Sequence, residues 1–212
     1  MDKTTYFYPN KILRTGNGLL DLSTPAIMGI LNVTPDSFYD GGKYSDVDAA
    51  LRQTELMLRD GADIIDIGGM STRPGAEMIA QELELSRVLP VVTAIKKQFG
   101  DVKMSIDTIY AATAAAAIDE GVAIINDVSA GASDAAIIDV AIQKQVPYVL
   151  MHMQGTPKQM QEHPQYDDVV KTVFDFLLQQ CSELEKKGLD NVIIDPGFGF
   201  GKTLEHNYAL AA

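Results

Sequence analysis

Carboxylates and amides recur in this sequence directly after short apolar runs. Asp107 follows Met104-Ser105-Ile106, Asp195 follows Val192-Ile193-Ile194, the pair Asn126-Asp127 follows Ala123 to Ile125, and Asn32 follows Ile30-Leu31. A carboxylate accepts two parallel N–H bonds from a guanidine-like edge, and an amide both donates and accepts. Four such positions in one chain suit a flat heterocycle with a donor-rich edge. Taken singly, each also suits the cap of the helix that follows it.

Two loops add charge and flat apolar surface. Ser71-Thr72-Arg73-Pro74-Gly75-Ala76 sets an arginine and two hydroxyls between glycines, which suits an anion; a solvated surface arginine is its plainer use. Asp195-Pro196-Gly197-Phe198-Gly199-Phe200-Gly201-Lys202-Thr203 ends like a P-loop, but G-x-x-x-x-G-K-[ST] requires glycine where this chain has Pro196. Gly199 and its neighbouring glycines, at the start of a helix, still suit an anion, and Phe198 and Phe200 suit either the faces of a flat ring or packing beneath the loop. His152, one of only 3 histidines, has no nearby histidine to make a metal site with, and no serine, histidine and aspartate signature accompanies it.

The elements that must position these groups alternate. Strands are expected at about Ala26 to Leu31, Ala62 to Ile67, Val102 to Ile106, Ala123 to Ile125, Val146 to Met151 and Asn191 to Ile194. Helices are expected at about Ser45 to Asp60, Ala80 to Phe99, Tyr110 to Glu120, Ser133 to Lys144, Tyr166 to Lys187, and from Thr203 to Ala212. Gly61, Gly100, Gly121 and Gly188 stand where four of these helices should stop. Lys11 to Leu22, with Arg-Thr-Gly-Asn-Gly at its centre, reads as a hairpin able to plug the bottom of a barrel.

This is an α/β chain with a parallel sheet, in one domain of residues 1–212, with residues 1–25 as an N-terminal hairpin. A doubly wound dinucleotide fold should carry G-x-G-x-x-G after its first strand; this chain has Asn32-Val33-Thr34-Pro35-Asp36-Ser37-Phe38 instead. That lowers the doubly wound option without deciding for the (β/α)8 barrel; in either fold ligand groups gather at the carboxyl ends of the strands. Six βα units are two short of a ring that usually takes about 250 residues, so the chain reads as C-terminally incomplete.

Composition narrows the function classes. Of 212 residues 46% are hydrophobic and 22% charged, which is ordinary for a globular protein. A formal net charge of -12 offers no basic field for nucleic acid or an anionic membrane. No apolar run approaches the ~18 residues of a membrane span, and the single cysteine, Cys181, suits a reduced cytoplasm.

Together the loops closely resemble the dihydropteroate synthase family. The resemblance rests on Asn32 to Phe38 with Asp40-Gly41-Gly42, Asp66-Ile67-Gly68-Gly69 running into Ser71 to Ala76, Asp107-Thr108, Asn126-Asp127-Val128, Met151-His152-Met153-Gln154-Gly155-Thr156-Pro157, and Asp195 to Lys202, in that order. It implies a TIM barrel that condenses 6-hydroxymethyl-7,8-dihydropterin diphosphate with 4-aminobenzoate, releasing diphosphate, with Mg²⁺ assisting. By the family pattern Asp107, Asn126 and Asp195 hold the pterin edge, and Asn32 meets the magnesium. Thr72 and Arg73 serve the aminobenzoate and diphosphate end, with Arg73 and Asp107 in the catalytic roles. Phe38, Pro74 and Phe200 form the slot for the aminobenzoate ring, with Gly199 beside it. The resemblance also implies a homodimer. Met70 stands where many members carry glutamate, and the family's later Ser-x-Lys and Arg-x-His segments have no counterpart here. Two further readings follow from the same residues: a pterin-binding barrel that passes a methyl group to a corrinoid, and a non-catalytic pterin-binding remnant.

Overall fold

A computed structural model describes residues 12–15, 18–34, 46–71, 78–155, 160 and 164–212; Phe38, Thr72, Arg73 and Pro74 lie outside the described residues. A short antiparallel pair, β1 (Ile12–Thr15) and β2 (Gly18–Asp21), comes first. Strands and helices then alternate as β3 (Met28–Asn32), α1 (Asp46–Arg59), β4 (Ile64–Gly68), α2 (Gln81–Phe99), β5 (Lys103–Asp107), α3 (Ala111–Asp119), β6 (Ile124–Asp127), α4 (Ala136–Lys144), β7 (Tyr148–Met151), α5 (Val169–Lys186), β8 (Val192–Asp195) and α6 (Leu204–Ala211).

The second sheet is six-stranded and parallel, and its neighbours run in chain order from β3 to β8. A doubly wound sheet reverses its strand order at a switch point. No reversal occurs here, so the sheet is an arc of a (β/α)8 barrel. Ile30 on β3 and Ile194 on β8 are exposed at the two edges of the arc.

Side chains alternate across the sheet. One set, including Leu31, Ile65, Ile67, Met104, Ile106, Ile125 and Leu150, packs against Val88, Val92 and Ile95 of α2, Ala114 and Ala117 of α3, Ile137 and Ala141 of α4, and Val173 and Leu177 of α5. The other set divides in two. Its lower members Ile64, Ile124 and Val149 bury Leu13 and Leu20 of the hairpin, which therefore covers the amino end of the inner face. Its upper members are polar, and form the site.

Every strand of the parallel sheet but β7 ends one or two residues later than sequence patterning suggests: Asn32, Gly68, Asp107, Asn126, Asp127 and Asp195 are strand residues, not the first residues of loops. Apolar content marks burial, whereas ladder pairing uses the backbone, which is indifferent to a polar side chain at the end of a run. The four glycines expected to end helices, Gly61, Gly100, Gly121 and Gly188, all have positive φ. Among the described residues no helix is long and apolar enough to cross a membrane.

Candidate active site

Ladder register brings four of the sequence-marked positions into one row. Asn32 pairs with Gly68, Gly68 with Asp107, and Asp107 with Asn126. Adjacent strands lie about 4.8 Å apart, so these side chains stand shoulder to shoulder across the inner face. Gly68 leaves a gap in the row: a Cβ there would lie 3.3 Å from Asp107 Oδ2 and 3.5 Å from Asn32 Oδ1. Any larger residue would separate the oxygens of Asn32 and Asp107 that now face the same space. Asp195, paired with Met151, extends the inner face on β8, and its Oδ1 accepts the Gly197 N–H at 2.7 Å. One of its oxygens thus shapes the loop, which leaves the other for a ligand.

One layer below lie two polar residues to which the sequence analysis gave no role, although Asp66 opens the Asp66-Ile67-Gly68-Gly69 motif. Asp66 and Ser105 are register partners on β4 and β5, both buried. Asn126 Nδ2 donates to Asp66 Oδ2 at 2.9 Å, while Asp66 Oδ1 and Ser105 Oγ are buried without a hydrogen-bond partner. The signal was available: Asp66 interrupts Ile64-Ile65-Ile67 two residues before Gly68, the spacing that puts both on one face.

These carboxyls lie close together. Burial raises the Asp66 pKa, and the neighbouring Ser105 hydroxyl and Asn126 amide draw it partly back. Burial, then the negative charges of Asp66, Glu84 and Asp127, hold Asp107 well above the usual carboxylate range. Glu84, also missed in the sequence, reaches in from α2, fully buried, and accepts the Thr108 hydroxyl at 2.6 Å. Burial raises its pKa as well, against the hydroxyls of Thr108 and Thr113. A pocket with this much unneutralised carboxyl and open acceptor capacity is complementary to N–H donors.

Above the row is a second unmarked feature, an apolar rim. Met70, Ile109, Val128 and Met151 are buried together, with Tyr110, Met153 and Phe200 packed against them. Met70, far from needing a charged partner, is part of this rim. A flat ring whose edge meets Asp107 and Asn126 would have its faces against such a surface. Tyr110 OH donates to the Ile79 carbonyl at 2.6 Å, anchoring one side of it.

The remaining polar strand ends serve structure. Asp127, next to Asn126 in the chain, faces the opposite way: its oxygens accept the N–H groups of Ser129 at 2.7 Å and Gly131 at 2.8 Å, and the Tyr148 hydroxyl at 2.7 Å. Lys202 is buried, and its Nζ donates to the carbonyls of His152, Gly197 and Phe200 at 3.1, 2.9 and 3.0 Å. It is no phosphate-binding lysine. Burial draws its pKa down to about 8, with Asp195 opposing. His152 is equally enclosed, its ring edge-on to Phe176 at 5.0 Å, and burial followed by the Lys202 charge pushes its pKa down to about 4. Gly197 has φ +70, and a Cβ on it would lie 2.0 Å from the His152 carbonyl oxygen, so only glycine allows these loops to meet. The Gly199 N–H, a candidate anion donor, is taken by Asn207 Oδ1 at 3.0 Å.

Residues 28–212 match the profile of a family described as pterin binding enzyme. The dihydropteroate synthase of Escherichia coli is 47% identical over 195 residues, covering 91% of this chain and 68% of that protein. The chain belongs to the dihydropteroate synthase family. Among solved members, the Xanthomonas albilineans enzyme with 4-aminobenzoic acid superposes with TM-score 0.86 at 41% identity, covering 94% of this chain and 71% of the other. The same organism's enzyme in complex with 7,8-dihydropteroate gives TM-score 0.82 at 39% identity, over 94% of this chain and 70% of the other. The expected TIM-barrel family is therefore found, with six βα units in this chain.

Proposed function

We propose that this chain is a dihydropteroate synthase of folate biosynthesis, joining 6-hydroxymethyl-7,8-dihydropterin diphosphate to 4-aminobenzoate, with the inner-face row as its pterin floor. Carrying this reading is the open polar capacity of Asp107 and Asn126, placed side by side beneath an apolar rim. The relatives' names give the product, dihydropteroate; the two substrates are what the family resemblance implies. The roles of individual residues follow the family pattern and the geometry described above.

Asp107 and Asp195 accept the N–H groups of the pterin edge, and Asn126 offers the complementary amide. Donors arriving at Asp107 replace the water that burial removed, so binding favours its carboxylate form. Met70, Val128, Met151 and Phe200 hold the ring faces and exclude water, which would otherwise capture the reactive methylene. Breaking the carbon–oxygen bond to diphosphate leaves a cationic methylene that the ring delocalises, and the neutral aromatic amine attacks it. No covalent enzyme intermediate is needed; positioning and charge stabilisation suffice. The ammonium formed on carbon–nitrogen bond formation gives its proton to water at the open mouth.

Mg²⁺ suits this donor set. Asn32 presents a hard amide oxygen beside the gap at Gly68, and magnesium typically takes one or two protein oxygens together with substrate phosphates. Bound there, it would supply neutralisation of the departing diphosphate. By family resemblance Thr72 and Arg73 bind the diphosphate and aminobenzoate, and Phe38, Pro74 and Phe200 form the aminobenzoate slot. We further propose a cytoplasmic homodimer, which light scattering of the purified protein tests.

A coupling assay with the pterin diphosphate and labelled aminobenzoate tests the reaction. The assay is run on the protein and on its extension to the next stop codon; dihydropteroate formation is expected in the extended form, with Arg73→Ala there at least tenfold slower. No product from either form, with folding confirmed, would refute the reading.

A further inference from the structure

Among the described residues Asn126 is the one member of the row whose side chain is tied to another side chain. An amide can present oxygen and nitrogen to a ligand in two orders, related by a 180° flip. Asn126 Nδ2 donates to Asp66 Oδ2 at 2.9 Å, so the flip would bring amide oxygen against a carboxyl oxygen. Among the described residues nothing donates to Asn126 Oδ1, which is left for a ligand. Among the described residues Asp66 has no other hydrogen bond of normal geometry: its Oδ1 and Ser105 Oγ beside it are buried without a partner, though the Ser105 hydroxyl stands close enough to draw the Asp66 pKa down. Placing a carboxyl in mid-strand among Ile64, Ile65 and Ile67 is costly for one hydrogen bond. A residue kept for fold alone would be better replaced by an apolar one.

We propose that Asp66 is a positioning residue for pterin recognition, holding the Asn126 amide so that acceptor and donor meet the ring edge in one fixed order. The proposal rests on the reading of Asn126 as a pterin ligand. Three features support it. The bond joins residues 60 apart in sequence and on non-adjacent strands, β4 and β6, so local folding does not produce it. Asp66 lies one layer below the row and cannot itself be a leading ligand contact, being only 4% exposed. Burial raises the Asp66 pKa, and its charge in turn raises that of Asp107, so keeping it there is costly, which is the pattern of a group retained for a site.

Substitutions at Asp66 separate positioning from packing. Asp66→Leu removes the acceptor and keeps the branching, at larger volume; Asp66→Asn keeps an oxygen for Asn126 and turns its own NH2 toward the unpartnered Ser105 hydroxyl. Titration calorimetry with 6-hydroxymethyl-7,8-dihydropterin diphosphate and Mg²⁺ should show about a tenfold loss for Asp66→Leu and less than about twofold for Asp66→Asn. In rate assays the loss should fall on KM for the pterin substrate and leave KM for 4-aminobenzoate unchanged. Asp66→Ser, whose hydroxyl is too short to reach Asn126, should match Asp66→Leu and serves if the leucine variant does not fold. In an Asn126→Ala background the Asp66→Leu or Asp66→Ser change should cost nothing further. Full additivity there, or equal weakening of both substrates, would overturn the proposal. Asn126→Ala with wild-type pterin affinity would instead remove the ligand reading beneath it.

Discussion

Two regions of this molecule bury charged side chains, and they treat them in opposite ways. Where the β7 and β8 loops meet, Lys202 has three carbonyl acceptors, and Gly197 brings the chain close enough to supply them. On the inner face, Asp66 and Ser105 keep unpartnered atoms, and Asp107 carries a raised pKa with no cation beside it among the described residues. Buried polar groups in folded proteins are nearly always satisfied. A region where they are satisfied is architecture; a region where they are not is prepared for something that arrives later. Asn126 and Asp127 show the same contrast between adjacent residues, since Asp127 has three donors and Asn126 an open oxygen.

The contrast breaks if the satisfied region tolerates change. Gly197→Ala puts a methyl 2.0 Å from the His152 carbonyl oxygen and forces a non-glycine residue to φ +70. It should cost about 4 kcal/mol or more in urea unfolding. An unaltered midpoint would show that the loop contact is not fixed. Lys202→Met strands three buried carbonyls and should cost about 3 kcal/mol. Both should act on stability first.

Asp107→Asn should do the reverse, weakening pterin diphosphate binding about thirtyfold, or roughly 2 kcal/mol, without destabilising the fold. Its pH dependence sharpens the point. The folded-state pKa of Asp107 lies above its usual 3.8, so the folded protein holds this proton more tightly than the unfolded chain. The stability it contributes is complete below 3.8 and is lost as pH rises through the raised folded value. Asp107→Asn should therefore melt higher than wild type near neutral pH, with the gap closing below that value. A constant gap would mean that Asp107 is not strained by burial. The smallest effect is expected at Tyr148→Phe, which removes one of three donors to Asp127. About 1 kcal/mol should be lost, with pterin affinity unchanged; altered affinity would erase the distinction between Asp127 and Asn126.

Much of the fold was legible because it depends on local pattern. Apolar runs of strand length between helical stretches gave the βα order, and helix-ending glycines marked boundaries within a few residues. Strand ends were misplaced because Asn32, Asp107 and Asp195 look like loop residues by type and pair like strand residues by backbone. For the site, Asp107, Asn126, Asp195 and Asn32 stood out by interrupting apolar runs. Asp66 and Glu84 did not, for neither ends a strand. Met70, Ile109, Val128 and Met151 look like any other core residues until the loops bring them to one rim.

The sequence by itself determined the order of elements, the polar strand ends and the family, all properties carried by residue type and spacing along the chain. Only the tertiary structure decided which of two adjacent polar residues faces the pocket, that Lys202 is spent on carbonyls, and that Asp66 holds Asn126. The reason is physical: a polar group's role depends on which partners reach it and which water leaves it, and both are set by strands and loops distant in the chain.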